Sequence, residues 1–172
     1  MCRRARLSKT SKWILILSCV TIFLLFGVPR IFLLDVSIVS GSSMDDILKN
    51  GDIVVARKVA IDHLSRGAIV TVQRRGSSSN IVKRIIGLPM ETIDIDEHGL
   101  IYIDGELISD EYQVYMDDKV TYPYTHLVLG EDEYFIIGDN RQNSHDSRYF
   151  GAIHLDEIRN VIFLRVFPFL IC

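Results

Sequence analysis

The hydrophobic pattern of this chain changes character once. Residues 13–28, "WILILSCVTIFLLFGV", contain no charged side chain, and after Pro29 and Arg30 a further apolar patch runs to Leu34. Beyond residue 50 the apolar positions come instead in short β-branched runs punctuated by Gly, Asp and Asn: "DIVVARKV" (52–59), "GAIVTVQR" (67–74), "NIVKRIIG" (80–87) and "TIDID" (92–96). Such runs predict strands. In "LIYIDGELIS" (100–109) the pair Asp104-Gly105 sits between two alternating runs, the strongest short-range signal for a hairpin. "EYFIIGD" (133–139) and "VIFLRVFPF" (161–169) predict further strands. No long amphipathic period interrupts them. The expected fold is therefore mainly β, an antiparallel domain with few helical turns.

The first run asks for a different environment. As a helix, residues 13–28 would span about 24 Å against about 30 Å of hydrocarbon, and Arg30 can snorkel so that the span continues toward Leu34. A cleavable signal peptide shares the basic-then-apolar pattern, but no small-x-small site follows the run. The lipoprotein-like "ILSC" at 16–19 lies too early, and apolar residues continue past it. One uncleaved N-terminal transmembrane helix at residues 13–35 is expected. Residues 1–12 carry five of the 19 basic residues and no acid. The positive-inside rule then makes them a cytoplasmic tail and places residues 36–172 outside the cell membrane, with lipids around the anchor.

Charge and cysteine content narrow the function. Past residue 12, 14 basic residues face all 22 acidic ones, about −8 overall, so the body has no electrostatic footprint for nucleic acid. Cys2, Cys19 and Cys172 are the only cysteines, which excludes a disulfide framework or a cysteine-built zinc site in the exterior domain.

Three polar stretches carry candidate chemistry: "GSSMDDILKNGD" (41–52), "NIVKRIIGLP" (80–89) and "GDNRQNSHDSRYFG" (138–151). By composition the first is a turn, since Gly, Ser, Asn and Asp favour turns for backbone reasons. In the second, strand alternation puts Ile81, Lys83 and Ile85 on one face and Val82, Arg84 and Ile86 on the other. A lysine there either snorkels at the sheet edge or loses hydration. In the second case its pKa falls and it becomes a competent general base, which an arginine cannot. His63, His98, His126, His145 and His154 are scattered. His145 and Asp146 are adjacent, so on extended backbone they point apart, and a metal pair or triad is disfavoured. An EF-hand over 139–146 fails at Arg141, where an oxygen ligand is required, and lacks the turn glycine. Serine activated by lysine, with no metal or cofactor, is the economical pairing.

Taken in order, the three stretches resemble the motifs of bacterial type I signal peptidases, membrane-bound Ser-Lys endopeptidases that remove secretory signal peptides. Gly41-Ser42-Ser43-Met44-Asp45-Asp46-Ile47-Leu48 follows the pattern Gly-x-Ser-Met-x-Pro-Thr-Leu with two departures. Lys83 to Glu91 follows Lys-Arg-x-x-Gly-x-Pro-Gly-Asp, with Met90 and Glu91 in the last two places. Gly138 to Arg148 matches Gly-Asp-Asn-Arg-x-x-Ser-x-Asp-Ser-Arg at every specified position. Only 54 residues separate Lys83 from Gly138, which resembles the short, Gram-positive-like subtype.

The resemblance implies roles. Ser43 would be the nucleophile, with its own N–H in the oxyanion hole, and Lys83 the base. Ser144 would hydrogen-bond and aim the lysine amine. Arg84, Asp139, Arg141, Asp146 and Arg148 would form supporting polar contacts. Val39, Met44, Leu48 and Val82 would line pockets for small residues, so that preproteins ending in Ala-x-Ala are the implied substrates. Another subtype carries a serine two positions before the nucleophile as a second oxyanion donor, where this chain has Gly41. Asp46 and Ile47 in place of Pro-Thr loosen the turn after Ser43, and an acid so near could hold Lys83 protonated. Met90 is acceptable at a glycine position only if its φ is negative. These departures suggest a specialised paralogue. They also raise a second reading, an accessory protein that binds secreted or surface proteins as an assembly partner with little proteolysis. A third, the Ser-Lys self-cleaving regulators, needs a DNA-binding helical domain, for which residues 1–35 leave no room.

Overall fold

The computed structural model describes residues 9–22, 34–45, 47–58, 64–108 and 123–166. The chain divides into two units, residues 1–35 and 36–172. In the first, Lys9–Ile22 forms helix α1, 14 residues long. Its apolar side chains from Trp13 to Ile22 are exposed all round. Two of its hydroxyls, those within the apolar part, bond inside the helix, Ser18 Oγ donating to the Leu15 carbonyl and Thr21 Oγ1 to that of Leu17, both at 2.8 Å. Among the described residues no helix is long and apolar enough to cross a membrane. The stretch 23–33, which completes the expected span, lies outside the described residues. Leu34 and Asp35, counted with the anchor on sequence grounds, begin a strand.

The second unit is antiparallel β, as the alternating runs predict. A seven-stranded sheet has the order β1 (Leu34–Ile38), β2 (Ile53–Lys58), β11 (Ile158–Val166), β3 (Ile69–Val72), β4 (Ile81–Gly87), β9 (Glu133–Ile137), β10 (Ile153–His154). A smaller sheet has the order β7 (Glu106–Leu107), β6 (Ile101–Ile103), β5 (Thr92–Ile95), β8 (His126–Val128). Asp104 and Gly105 join β6 to β7 with φ of 51° and 81°. Positive φ at both loop positions makes a type I′ turn, whose twist matches that of the flanking strands. β8 and β10, of three and two residues, carry too little periodicity to be predicted, and β1 begins inside the apolar stretch assigned to the anchor. The last predicted strand begins earlier, at Ile158, and residues 167–169 lie outside the described set.

β9 is apolar on both faces because it serves two cores. Tyr134 and Ile136 pack with Val70, Val72, Ile85, Ile153 and Ile158. Phe135 and Ile137 pack with Ile86, Ile93, Ile95, Ile101 and Ile103 toward the smaller sheet. Between the sheets, a Cβ at Gly87 would lie 2.7–2.8 Å from Ile93, Leu129 and Phe135. Glycine allows that approach. A third cluster joins Val39, Met44, Leu48 and Val54, with Ile69, Val82 and Ile162 against it. This cluster lies beneath the serine loop.

Candidate active site

Strand pairing brings two of the three polar stretches together. β4 and β9 pair with Arg84 opposite Ile137. One step further along, Lys83 lies level with Gly138, where the 138–151 segment leaves the end of β9. That segment turns through a short 3₁₀ stretch, Arg141–Asn143, and then a single helical turn α2, Ser147–Phe150. Asp146 caps α2 by accepting from the Arg148 N–H.

Asparagines of this segment hold the serine loop. The Asn140 N–H donates to the Ser43 carbonyl at 3.0 Å, and Asn140 Nδ2 donates to the Ser42 carbonyl at 3.0 Å. Asn143 Nδ2 donates to Ser42 Oγ at 2.7 Å. Neither asparagine stood among the expected site residues, although Asn140 occupies a specified motif position. Gly138 is where the two segments touch. A Cβ there would lie 2.6 Å from the Ser43 carbonyl oxygen and collide with Ser144 Oγ.

Lys83 Nζ lies 2.7 Å from Ser43 Oγ and donates to the Val82 carbonyl at 3.0 Å. Ser42 and Ser43 thus face different partners. The backbone turns over residues 43–45, within the stretch whose composition predicts a turn. The Ser43 N–H has no acceptor among the described residues, which leaves it available to an oxyanion. Lys83 is 3% exposed. Burial pulls its pKa below the ordinary lysine value; Asp146 opposes that shift, Arg148 adds to it, and Asp139 opposes it again. A buried amine so placed can exchange a proton with the hydroxyl it touches.

Arg84, Asp139, Asp146 and Arg148 assemble into two ion pairs beside the lysine. Asp139 pairs with Arg84, in two bonds of 2.8 and 2.7 Å, and Arg84 also donates to the Gly67 carbonyl at 2.6 Å. Asp146 pairs with Arg148 at 2.8 and 2.9 Å and also accepts the Gly138 N–H at 3.0 Å. Arg148 donates onward to the Arg141 carbonyl at 2.8 Å. Arg141 itself is buried with Nε unpartnered among the described residues, and burial beside Arg148 lowers its pKa to about 10. The hydrogen bond expected from Ser144 to the lysine amine is not made. Its hydroxyl is buried against Gly138 and has no partner among the described residues. Val39, Met44, Leu48 and Val82 do come together, but Met44 and Leu48 are fully buried and form a packed floor rather than an open wall. Met44 Sδ accepts the Asp139 N–H at 3.4 Å, tying that floor to the ion pair. His145 is exposed and stacked on Tyr149. Asp46 lies outside the described residues.

Met90 departs from expectation. Its φ is 69°. Leu88 to Glu91 forms a turn closed by the Glu91 N–H on the Leu88 carbonyl at 3.2 Å. Proline second and a positive φ third make this a type II turn, which explains why the motif carries glycine there. Glu91 holds the strained turn, accepting the Leu88 N–H at 2.7 Å and pairing with Arg66 at 2.6 Å.

The fold and site define a class first: a β-sheet protein with a serine hydroxyl on a buried lysine amine. The comparisons with known proteins give the family. The profile described as "Signal peptidase, peptidase S26" matches residues 11–167, and the chain belongs to that family. It is 32% identical over 168 residues to "Signal peptidase I P" of Bacillus subtilis subsp. natto, covering 91% of this chain and 88% of that one. It is 27% identical over 147 residues to "Probable signal peptidase I-2" of Synechocystis sp., covering 81% of this chain and 66% of the relative. A crystal structure of a signal peptidase I from Enterococcus faecalis aligns with TM-score 0.49 and 27% identity over 60% of this chain and all of that one.

Proposed function

We propose that this chain removes N-terminal signal peptides from secretory preproteins, with Ser43 as nucleophile and Lys83 as general base. The activity is that of its family, a membrane-associated serine endopeptidase. The assignment of residues rests on one observation, the 2.7 Å contact between Lys83 Nζ and Ser43 Oγ beside a buried apolar cluster.

In the proposed sequence, neutral Lys83 takes the Ser43 proton as Oγ bonds to the carbonyl carbon before the scissile bond. The resulting oxyanion accepts from the Ser43 N–H, a donor of the kind whose loss costs about 2.7–4 kcal/mol of barrier. Collapse breaks the C–N bond, and the lysine proton leaves with the amine of the mature protein. Lys83 then deprotonates a water, which attacks the ester, frees the signal peptide and returns the proton to Ser43. Asp139–Arg84 and Asp146–Arg148 act through other groups: they fix the 138–148 segment that braces the serine loop. Substrates ending in small residues such as Ala-x-Ala fit the reading.

The N-terminal unit would anchor the enzyme, with residues 1–12 in the cytoplasm and the catalytic domain outside. The part of α1 from Trp13 to Ile22, exposed and mainly apolar with its hydroxyls bonded internally, suits lipid, where no water satisfies polar groups. The accessory reading is not favoured, because the named relatives are peptidases and the serine and lysine are in contact.

Purified full-length protein in detergent, incubated with a preprotein ending in an Ala-x-Ala site, tests the proposal. Wild type should cleave it. Ser43→Ala should lose about four orders of magnitude or more in rate, and Ser42→Ala far less. Normal cleavage by Ser43→Ala would overturn the assignment.

A further inference from the structure

The turn that follows Ser43 leads into β2 and is fastened from the neighbouring strand β11, by a residue 118 positions beyond Ile47. Arg165, near the end of β11, donates Nη1 to the Ile47 carbonyl, and its Nε lies 2.7 Å from Asp52 Oδ2. Asp52 is buried, and the same carboxylate oxygen accepts the Lys49 N–H at 2.7 Å, while the Asp52 N–H donates to the Lys49 carbonyl at 3.0 Å. One guanidinium thus spans both ends of the 47–52 turn. Ile47 N–H and Leu48 N–H in turn donate to the Met44 carbonyl at 2.9 and 2.7 Å, directly after the nucleophile. On its other flank, the Gly41 N–H donates to Asn50 Oδ1 at 3.1 Å, so the loop around Ser43 closes on the fastened turn.

Resting on the assignment of Ser43 as nucleophile, we propose that Arg165 is a positioning residue for that serine. It acts through Ile47 and Asp52, and touches neither substrate nor lysine. The guanidinium combines a hydrogen bond to the Ile47 carbonyl with a close ion pair to the buried Asp52 carboxylate, so one cation bears on both ends of the turn. The turn it holds lacks the proline that would otherwise restrict the backbone after the nucleophile. A misplacement of the order of 1 Å in a reacting group can cost about a hundredfold in rate.

The test uses full-length enzyme in detergent and the Ala-x-Ala preprotein, far below the thermal midpoint, with folded enzyme quantified for each variant. Arg165→Gln should lower kcat at least about tenfold with KM within about twofold. Arg165→Lys should recover part of kcat, since it keeps the charge on Asp52 but cannot hold both acceptors. Asp52→Asn should lower kcat like Arg165→Gln, and the double variant should be no worse than the worse single one. Arg159→Gln is the control: on the same strand, exposed and bonded to Gln73, it should leave kcat unchanged. If Arg165→Gln fails to fold, Arg165→Lys and Asp52→Asn decide the matter. Wild-type kcat per folded molecule in these variants, with only a lowered melting temperature, would overturn the proposal. Ser43→Ala is run in parallel: full activity there would remove the nucleophile assignment instead, so the two failures are distinct.

Discussion

Lys83 combines two properties that water would separate, a hydroxyl at hydrogen-bond distance and almost no exposure. Burial disfavours its charge more than Asp146 and Asp139 restore it, so its pKa is depressed. In the charged form the amine donates to Ser43 Oγ, and in the proposed mechanism its neutral form receives the serine proton. Activity should therefore rise with pH through the lysine pKa, giving the pH–rate profile an acidic limb. Lys83→Arg should be inactive at every pH; ordinary turnover in that variant would remove the base from Lys83. The same depression bears on stability. Between the folded and unfolded pKa values the unfolded chain binds a proton that the folded one lacks, so this lysine costs stability as pH falls below its unfolded value. Lys83→Met should exceed wild type in urea midpoint at neutral pH, and the gap should shrink toward pH about 10.4, the ordinary lysine value. Met90 makes a second prediction at this scale. Its side chain is 67% exposed and its φ lies in the left-handed region, so little packing offsets the backbone strain. Met90→Gly should stabilise the domain by about 1 kcal/mol in equilibrium unfolding.

At the scale of elements, the site depends on the pairing of β4 with β9 and on the 138–148 segment at the end of β9. Gly138 is the junction, and its missing side chain is a space requirement: a Cβ would strike Ser144 and the Ser43 carbonyl. Gly138→Ala should displace the serine loop and lower kcat by about a hundredfold or more, measured on folded enzyme with the Ala-x-Ala substrate. Wild-type kcat would show that the two segments part without consequence for the nucleophile. Asp146 explains why this segment keeps its shape. Fully buried, it is balanced by Arg148 and by the Gly138 N–H. Breaking a buried pair by removing one partner typically costs about 3–5 kcal/mol, so such pairs serve geometry at a cost in robustness.

For the whole molecule, the question is which side of the membrane holds the domain. The proposed orientation rests on the five basic residues before the apolar run, which put residues 1–12 inside and the β domain outside. Protease added to intact spheroplasts should digest the chain beyond Asp35, and complete protection of that region would reverse the orientation.

Much of this molecule is legible in the chain itself. β-branched runs of five or more residues mark their strands because period-two burial is a local property, and Asp104-Gly105 declares its turn because few residues tolerate positive φ. The candidate serine and lysine stand out for the same reason: each sits in a short motif whose spacing is written along the chain. Tertiary structure alone decided how these pieces meet. That Asp139 pairs with Arg84, leaving Arg141 Nε unpartnered among the described residues, follows from the β4–β9 register. Ser144 turning onto Gly138 rather than the amine, and Arg165 reaching Ile47 and Asp52, depend on strand pairing as well. Periodicity reports which face of an element is buried. Which ion finds which partner is set by non-local pairing, because several charges of similar local character compete, and only the folded geometry brings one pair within hydrogen-bond distance.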